Sequence, residues 1–194
     1  MTRAPLPRAE PLYSPRGVLQ SRKPLSDGRP IVLVGLMGVG KSTVGRRLAQ
    51  RLRLPFADAD EEIETAAGMP IAEIFDRYGE PYFRDGERRV IARLIDGTPK
   101  VIATGGGAFI NEETRALILA EAIAIWLDAS PEVLAERVKR RDTRPLLRDR
   151  DAKEVLTELA AKRNVFYALA PIHIASQRSP HEATVAAILK AIGK

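Results

Sequence analysis

Cysteine is absent from this 194-residue chain. That excludes a disulfide framework and any thiolate metal site, and it suits a reducing cytoplasm. Histidine is almost absent. His173 sits on a short apolar run and His181 near the C-terminus, and their spacing is not that of a metal pair. Long apolar runs are missing too. The longest candidate, residues 116–127, is interrupted by Glu121 and falls short of the ~20 residues that cross a bilayer. There is no internal repeat and no sign of a second folded domain.

Acidic residues are scarce at one end only. Within residues 1–30, Arg3, Arg8, Arg16, Arg22, Lys23 and Arg29 face Glu10 and Asp27. This segment therefore carries +4 of the chain's net charge of +6. The basic excess says little about the remainder, and it gives weak support to nucleic-acid binding. Pro5, Pro7, Pro11, Pro15 and Pro24 defeat a helix there, so residues 1–28 read as a disordered tail. An Arg-rich transit peptide is the alternative, and the same prolines weigh against its amphipathic helix. Residues 29–194 then form one folded domain. Its 45% apolar and 29% charged content suits a globular chain.

Gly35-Leu36-Met37-Gly38-Val39-Gly40-Lys41-Ser42-Thr43 meets the full phosphate-loop pattern G-x-x-x-x-G-K-[ST]. Ile31 to Val34 before it is an apolar, β-branched strand. Val44, Leu48 and Leu52 after it mark one face of a helix. In that setting backbone N–H groups converge on an anion, Lys41 reaches the outer phosphates, and the Ser42 hydroxyl faces Mg²⁺.

Further apolar strands are expected at 54–60, 101–103, 123–127 and 172–174, with helices between them. One helix opens at Met69-Pro70 with the stripe Ile71, Ile74, Phe75 and Tyr78, and Gly79 ends it. The next starts at Pro81 and turns Phe83, Val90, Ile91, Leu94 and Ile95 inward. Asn111, Ser130-Pro131 and Asp151 with Glu154 are helix starts, and a final helix spans about 180–192. The alternation implies an α/β fold, three layers deep, with a five-stranded parallel sheet. Ligands of such sheets sit beyond the carboxyl ends of the strands.

Several residues fall at that edge. Asp58 and Asp60, at i and i+2 on a strand, diverge and suit separate roles. One would hold Mg²⁺, and the other would accept a hydrogen bond from a substrate hydroxyl. For Asp60 an N-cap is the bland alternative. Gly105-Gly106-Gly107 serves either a substrate lying against bare backbone or a tight turn. Arg163 interrupts the stripe Val155, Leu156, Leu159, Phe166, Tyr167, so this half-buried guanidinium needs an anion. That anion is an internal acid or a substrate carboxylate. Arg84 is placed similarly, although on its own it reads as a surface ion pair. Residues 137–150 hold seven basic and two acidic residues. They form either a solvated loop or a mobile lid whose Arg144 neutralises a transferring phosphoryl group.

Together these residues resemble the shikimate kinase family of nucleoside-monophosphate-kinase-like phosphate-loop proteins. The resemblance rests on the glycine loop, Asp58-Ala59-Asp60, Phe83-Arg84, Gly105-Gly106-Gly107, Arg144-Pro145-Leu146-Leu147, and Arg163 with Tyr167. It implies transfer of a phosphoryl group from MgATP to the 3-hydroxyl of shikimate by a cytoplasmic monomer. Gly38, Val39, Gly40, Lys41, Ser42 and Thr43 would hold the phosphates. Ser42 would bind one Mg²⁺, supported by Asp58. Asp60 would bind the shikimate hydroxyls and act as the base, and Arg84 and Arg163 would clamp the carboxylate. Gly105, Gly106 and Gly107 would meet the ring hydroxyls. Arg144 would be the lid arginine, and Arg137 and Arg178 would flank adenine near Pro180. A related kinase for another hydroxy acid such as gluconate is the nearest alternative. A nucleic-acid-stimulated ATPase, using the basic tail and lid, is the alternative from another class.

Overall fold

The computed structural model describes residues 28–138, 151–176 and 180–194. Residues 1–27 of the expected tail, all but the first two residues of the basic segment with its Arg144, and Arg178 lie outside the described residues.

Five strands form one parallel sheet: β1 (Ile31–Val34), β2 (Phe56–Asp58), β3 (Val101–Ala103), β4 (Ile123–Asp128) and β5 (Ile172–Ala175). Their spatial order is β2-β3-β1-β4-β5. All four residues of β1 are fully buried, as a continuous apolar run in a sheet covered on both faces should be. The helices are α1 (Lys41–Leu52), α2 (Ala59–Ala67), α3 (Ile71–Leu94), α4 (Glu112–Glu121), α5 (Pro131–Val138), α6 (Ala152–Tyr167) and α7 (His181–Ala191). A 3₁₀ turn covers Ala108–Ile110. Helix α1 packs beside α7, while α3, α4 and α6 gather around the 3₁₀ turn. Among the described residues no helix is long and apolar enough to cross a membrane.

The register decides what meets at the functional edge. Leu33 pairs with Ala103 and Ile125, and Ala103 pairs with Asp58. The chain therefore leaves β1, β2 and β3 at nearly the same height. Thr104 fixes this alignment, since both its backbone N–H and its hydroxyl donate to the Leu33 carbonyl, at 3.2 and 3.0 Å.

Local signals account for most boundaries. Asn111 caps α4 through Thr114 N–H at 2.9 Å. Asp151 caps α6 through the N–H groups of Lys153 and Glu154. Helix α3 is broken at Gly79, whose φ of 78° and ψ of 173° are not helical, and Pro81 lies in the second half. The inward stripe of that half is buried as its spacing predicts. Tyr78 departs from the expected stripe of the first half. It is 49% exposed, and its ring packs on Tyr82 across the break, 4.7 Å between centroids. The backbone turns at Gly79, so the helical period that aligned Tyr78 with Ile74 ends one residue later.

Candidate active site

Helix α1 begins differently from the others. Helices α2 to α7 each carry an acidic residue in the first turn, where the helix dipole favours one. Helix α1 carries none. Gly40 precedes it in the left-handed region at φ 97°, and no side chain caps its first N–H groups. A helix start without its own acid or cap is open to an external anion. Gly35 and Gly38 also have positive φ, at 136° and 81°. A Cβ on Gly38 would lie 2.7 Å from Val138 Cγ1, and one on Gly35 would overlap the Leu127 carbonyl. The loop thus needs glycine for conformation and for close packing alike. Lys41 is buried at its root and donates to the carbonyls of Gly35 and Leu36, at 2.8 and 2.9 Å. Its ammonium therefore lies over the loop.

Strand β2 ends at Asp58 and α2 begins at Ala59, so the two aspartates do not share a strand. Asp58, not Asp60, is the N-cap, with its Oδ1 accepting from Asp60 N–H at 3.1 Å. The expectation of a strand running to residue 60 fails because the cap turns the chain two residues earlier. Asp58 is buried, and the cap leaves its Oδ2 to other ligands. Asp60 projects instead from the first turn of α2.

The three glycines after β3 are the hub. None has positive φ, so a left-handed turn does not explain them. Close approach does. A Cβ on Gly105 would lie 2.7 Å from Glu87 Oε1 and 2.8 Å from Asp60 Oδ1. One on Gly106 would lie 3.3 Å from the Met37 amide nitrogen in the phosphate loop and 3.8 Å from Arg163 Nη1. One on Gly107 would lie 2.7 Å from Arg84 Cζ. Three bare Cα atoms therefore bring together the phosphate loop, two carboxylates and two guanidinium groups.

Each charge in this group has a partner. Arg84 donates to Glu87 Oε2 at 2.7 Å and to Glu80 at 3.0 and 3.1 Å. Its pKa is raised: burial alone would lower it, and the carboxylates of Glu87 and Glu80 outweigh that. Arg163 hydrogen-bonds a backbone carbonyl, Nη1 donating to Gly106 O at 3.1 Å, and its charge also acts on the nearby Glu87 carboxyl. The buried Tyr167 hydroxyl donates to the same oxygen.

Glu87 escaped the sequence reading. It is 2% exposed and lies between Arg84 and Asp60. Burial pushes its carboxyl above the usual range, against the pull of Arg84. Its Oε1 is buried without a hydrogen-bond partner. A signal was present, because residue 87 sits four after Phe83 and four before Ile91, inside the apolar stripe of α3. It is the same kind of interruption that marks Arg163.

Other expected residues lie farther round the edge. Arg137, at the end of α5, donates to the Val39 carbonyl and to Ser176 Oγ, which places it behind the phosphate loop. Pro180 precedes α7. His173 is exposed, stacks on Trp126 at 4.1 Å and pairs with Asp128 at 3.1 Å. Among the described residues no cluster of three acidic or histidine side chains could hold a metal ion alone. A cation beside Ser42 and Asp58 would need oxygens from a phosphate as well, which is how Mg²⁺ commonly binds.

A family model for shikimate kinase matches residues 37–193. A shikimate kinase of Novosphingobium aromaticivorans is 61% identical over 170 residues, covering 85% of this chain and 88% of the relative. One from Caulobacter vibrioides is 61% identical over 164 residues, covering 84% and 82%. Among solved structures, shikimate kinase from Acinetobacter baumannii in complex with shikimate superposes with a TM-score of 0.82 at 34% identity, covering 89% of this chain and 97% of that one. A gluconokinase from Sinorhizobium meliloti reaches a TM-score of 0.55 at 21% identity, covering 86% and 93%, a likeness of fold alone.

Proposed function

This chain belongs to the shikimate kinase family, and on that premise we propose how its residues divide the work. The chain is an ATP-dependent kinase of shikimate. The γ-phosphoryl group passes to the 3-hydroxyl, whose oxygen bonds to phosphorus as the bond to the bridging oxygen of ADP breaks.

The phosphate loop and Arg163 meet at Gly106, and that juxtaposition is the observation supporting the assignment. On the donor side, backbone N–H groups from Gly38 to Thr43 and the Lys41 ammonium hold the phosphates. Ser42 and Asp58 supply hard oxygens suited to Mg²⁺, which when bound neutralises phosphate charge. On the acceptor side, Arg84 and Arg163 present guanidinium groups from separate helices, as a carboxylate clamp requires. The backbone of Gly105, Gly106 and Gly107 lets the sugar-like ring approach without a side chain between. Asp60, beside Gly105, accepts the hydroxyl proton as the new bond forms. Catalysis is then positioning plus charge stabilisation. Arg144 would add charge stabilisation from the lid, and Arg137 and Arg178 would flank adenine. Work as a monomer in the cytoplasm, without nucleic acid, completes the reading, which the absence of cysteine suits.

A coupled assay of ADP release tests the assignment. Shikimate should stimulate it, while gluconate, RNA and DNA should not. Stimulation by nucleic acid alone would refute it. Asp60→Asn should lower kcat by about 10²- to 10⁴-fold with little change in either KM. An unchanged kcat would remove Asp60 from the proton transfer.

A further inference from the structure

Tyr167 is fully buried, yet its hydroxyl is aimed at the functional edge rather than into the core. Its ring lies 6.5 Å from Phe109, which follows the glycine segment, and 6.1 Å from Trp126 on β4. The hydroxyl donates to the Gly106 carbonyl, and Arg163, one helical turn earlier, donates to the same oxygen. A carbonyl has two lone pairs, so these two donors satisfy it. A trans peptide is planar, with C=O and N–H opposed. Turning the Gly106 carbonyl towards α6 therefore turns the Gly107 N–H to the opposite side, and Arg84 packs close to the Gly107 Cα.

We propose that Tyr167 is a positioning residue for the acceptor: its hydroxyl fixes the Gly106–Gly107 peptide and, with it, the Arg163 guanidinium that bonds the same carbonyl. This rests on the reading that Arg163 clamps the substrate carboxylate. Without the hydroxyl, Arg163 is the one side-chain donor left on that carbonyl. The peptide then has one anchor instead of two, and the guanidinium that rests on it loses its fixed seat. The phosphate loop, where ATP is proposed to bind, meets Gly106 through the Met37 amide and not through Tyr167, so ATP binding is spared. Burial raises the phenol to about 12, so the hydroxyl remains a donor throughout the physiological range.

The full-length enzyme carrying Tyr167→Phe, Tyr167→Leu or Arg163→Ala tests this by steady-state kinetics and thermal melting. Tyr167→Phe keeps the ring and removes only the hydroxyl. It should raise the shikimate KM about five-fold, the worth of one lost hydrogen bond, with the ATP KM within about two-fold of wild type. Tyr167→Leu should show the same KM pattern with a lower Tm, because the ring is lost as well. Arg163→Ala should raise the shikimate KM further than either. An unchanged shikimate KM in Tyr167→Phe, or equal rises in both KM values, overturns the proposal while leaving the clamp intact if Arg163→Ala still shows its large effect. An unchanged shikimate KM in Arg163→Ala overturns the clamp reading, and this proposal with it.

Discussion

Replacing Glu87 by glutamine should separate stability from function. The side chain is buried, and its Oε2 holds Arg84 at 2.7 Å. Arg84 keeps one other carboxylate, Glu80, whose side chain is 63% exposed. An exposed ion pair contributes about 0–1 kcal/mol, whereas a hydrogen bond to a buried charged group contributes about 1.5–3 kcal/mol. Glutamine keeps the shape and loses the charge, so Arg84 becomes tethered mainly from the solvent side. A loss of about 1–2 kcal/mol in holding Arg84 corresponds to a rise of roughly 5- to 30-fold in the shikimate KM. Stability should move the other way. The Glu87 carboxyl is raised from its ordinary value of 4.5, chiefly by burial, with Asp60 adding to the rise and Arg84 and Arg163 opposing it. A carboxyl with a raised pKa in the folded state contributes stability that is present below its unfolded pKa and lost as pH rises through the folded one. Glutamine does not titrate. The Tm of Glu87→Gln should therefore gain on wild type as pH rises from about 4 towards 8, while the shikimate KM at neutral pH worsens. Kinetics with shikimate varied, and melting curves across that range, check both halves. A variant that loses Tm relative to wild type with rising pH, or that binds shikimate normally, would refute the reasoning.

Gly107→Ala should reduce kcat/KM for shikimate by at least about 10-fold if Arg84 binds the carboxylate as proposed, because its Cβ would overlap and displace the Arg84 guanidinium. Kinetics of that variant check this, and a normal shikimate KM would show that Arg84 can move without harm. Removing residues 1–27 should leave both the Tm and kcat/KM within error of the full chain, since the family match begins at residue 37. A clear loss in either measurement would assign those residues a role in the folded enzyme.

The donor half of the site was legible in the sequence because its signals are local. Strand, glycine spacing, Lys41 and Ser42 follow one another, and each step constrains the next. The sheet followed from the same kind of signal, with apolar runs separated by caps and breakers such as Gly79 and Asn111. The acceptor half was only partly legible. Asp60 and Arg84 could be named by residue type and placement, but their partners could not. Arg163 and Tyr167 reach Gly106 across 57 and 61 residues of chain, and no period in a local window encodes such a contact. At Arg163 the broken stripe left an internal acid or a substrate carboxylate open, and the structure shows a hydrogen bond to the Gly106 carbonyl.

The contrast between Arg163 and Glu87 has a physical reason. Both are charged residues in an apolar helix stripe, and a buried charge without a counter-charge or hydrogen bonds is costly. Glu87 has its counter-charge within its own helix, at Arg84 three residues earlier, which accounts for its Oε2. Arg163 is satisfied in part by a neutral carbonyl, which a leucine at that position would not need and which Tyr167 already serves. A guanidinium offers five N–H donors. Keeping one half-buried beside the phosphate loop, hydrogen-bonded to a neutral acceptor, suits the proposed site for an incoming carboxylate. The Arg84–Glu87 pair next to it has the opposite character. Glu87 largely offsets the charge of Arg84, so attraction for a dianionic or bulky anion is tempered and geometry becomes the larger selector. Specificity for a small ring acid would then depend on where the two guanidinium groups stand relative to Gly106 and Gly107, and so on the residues that hold them there.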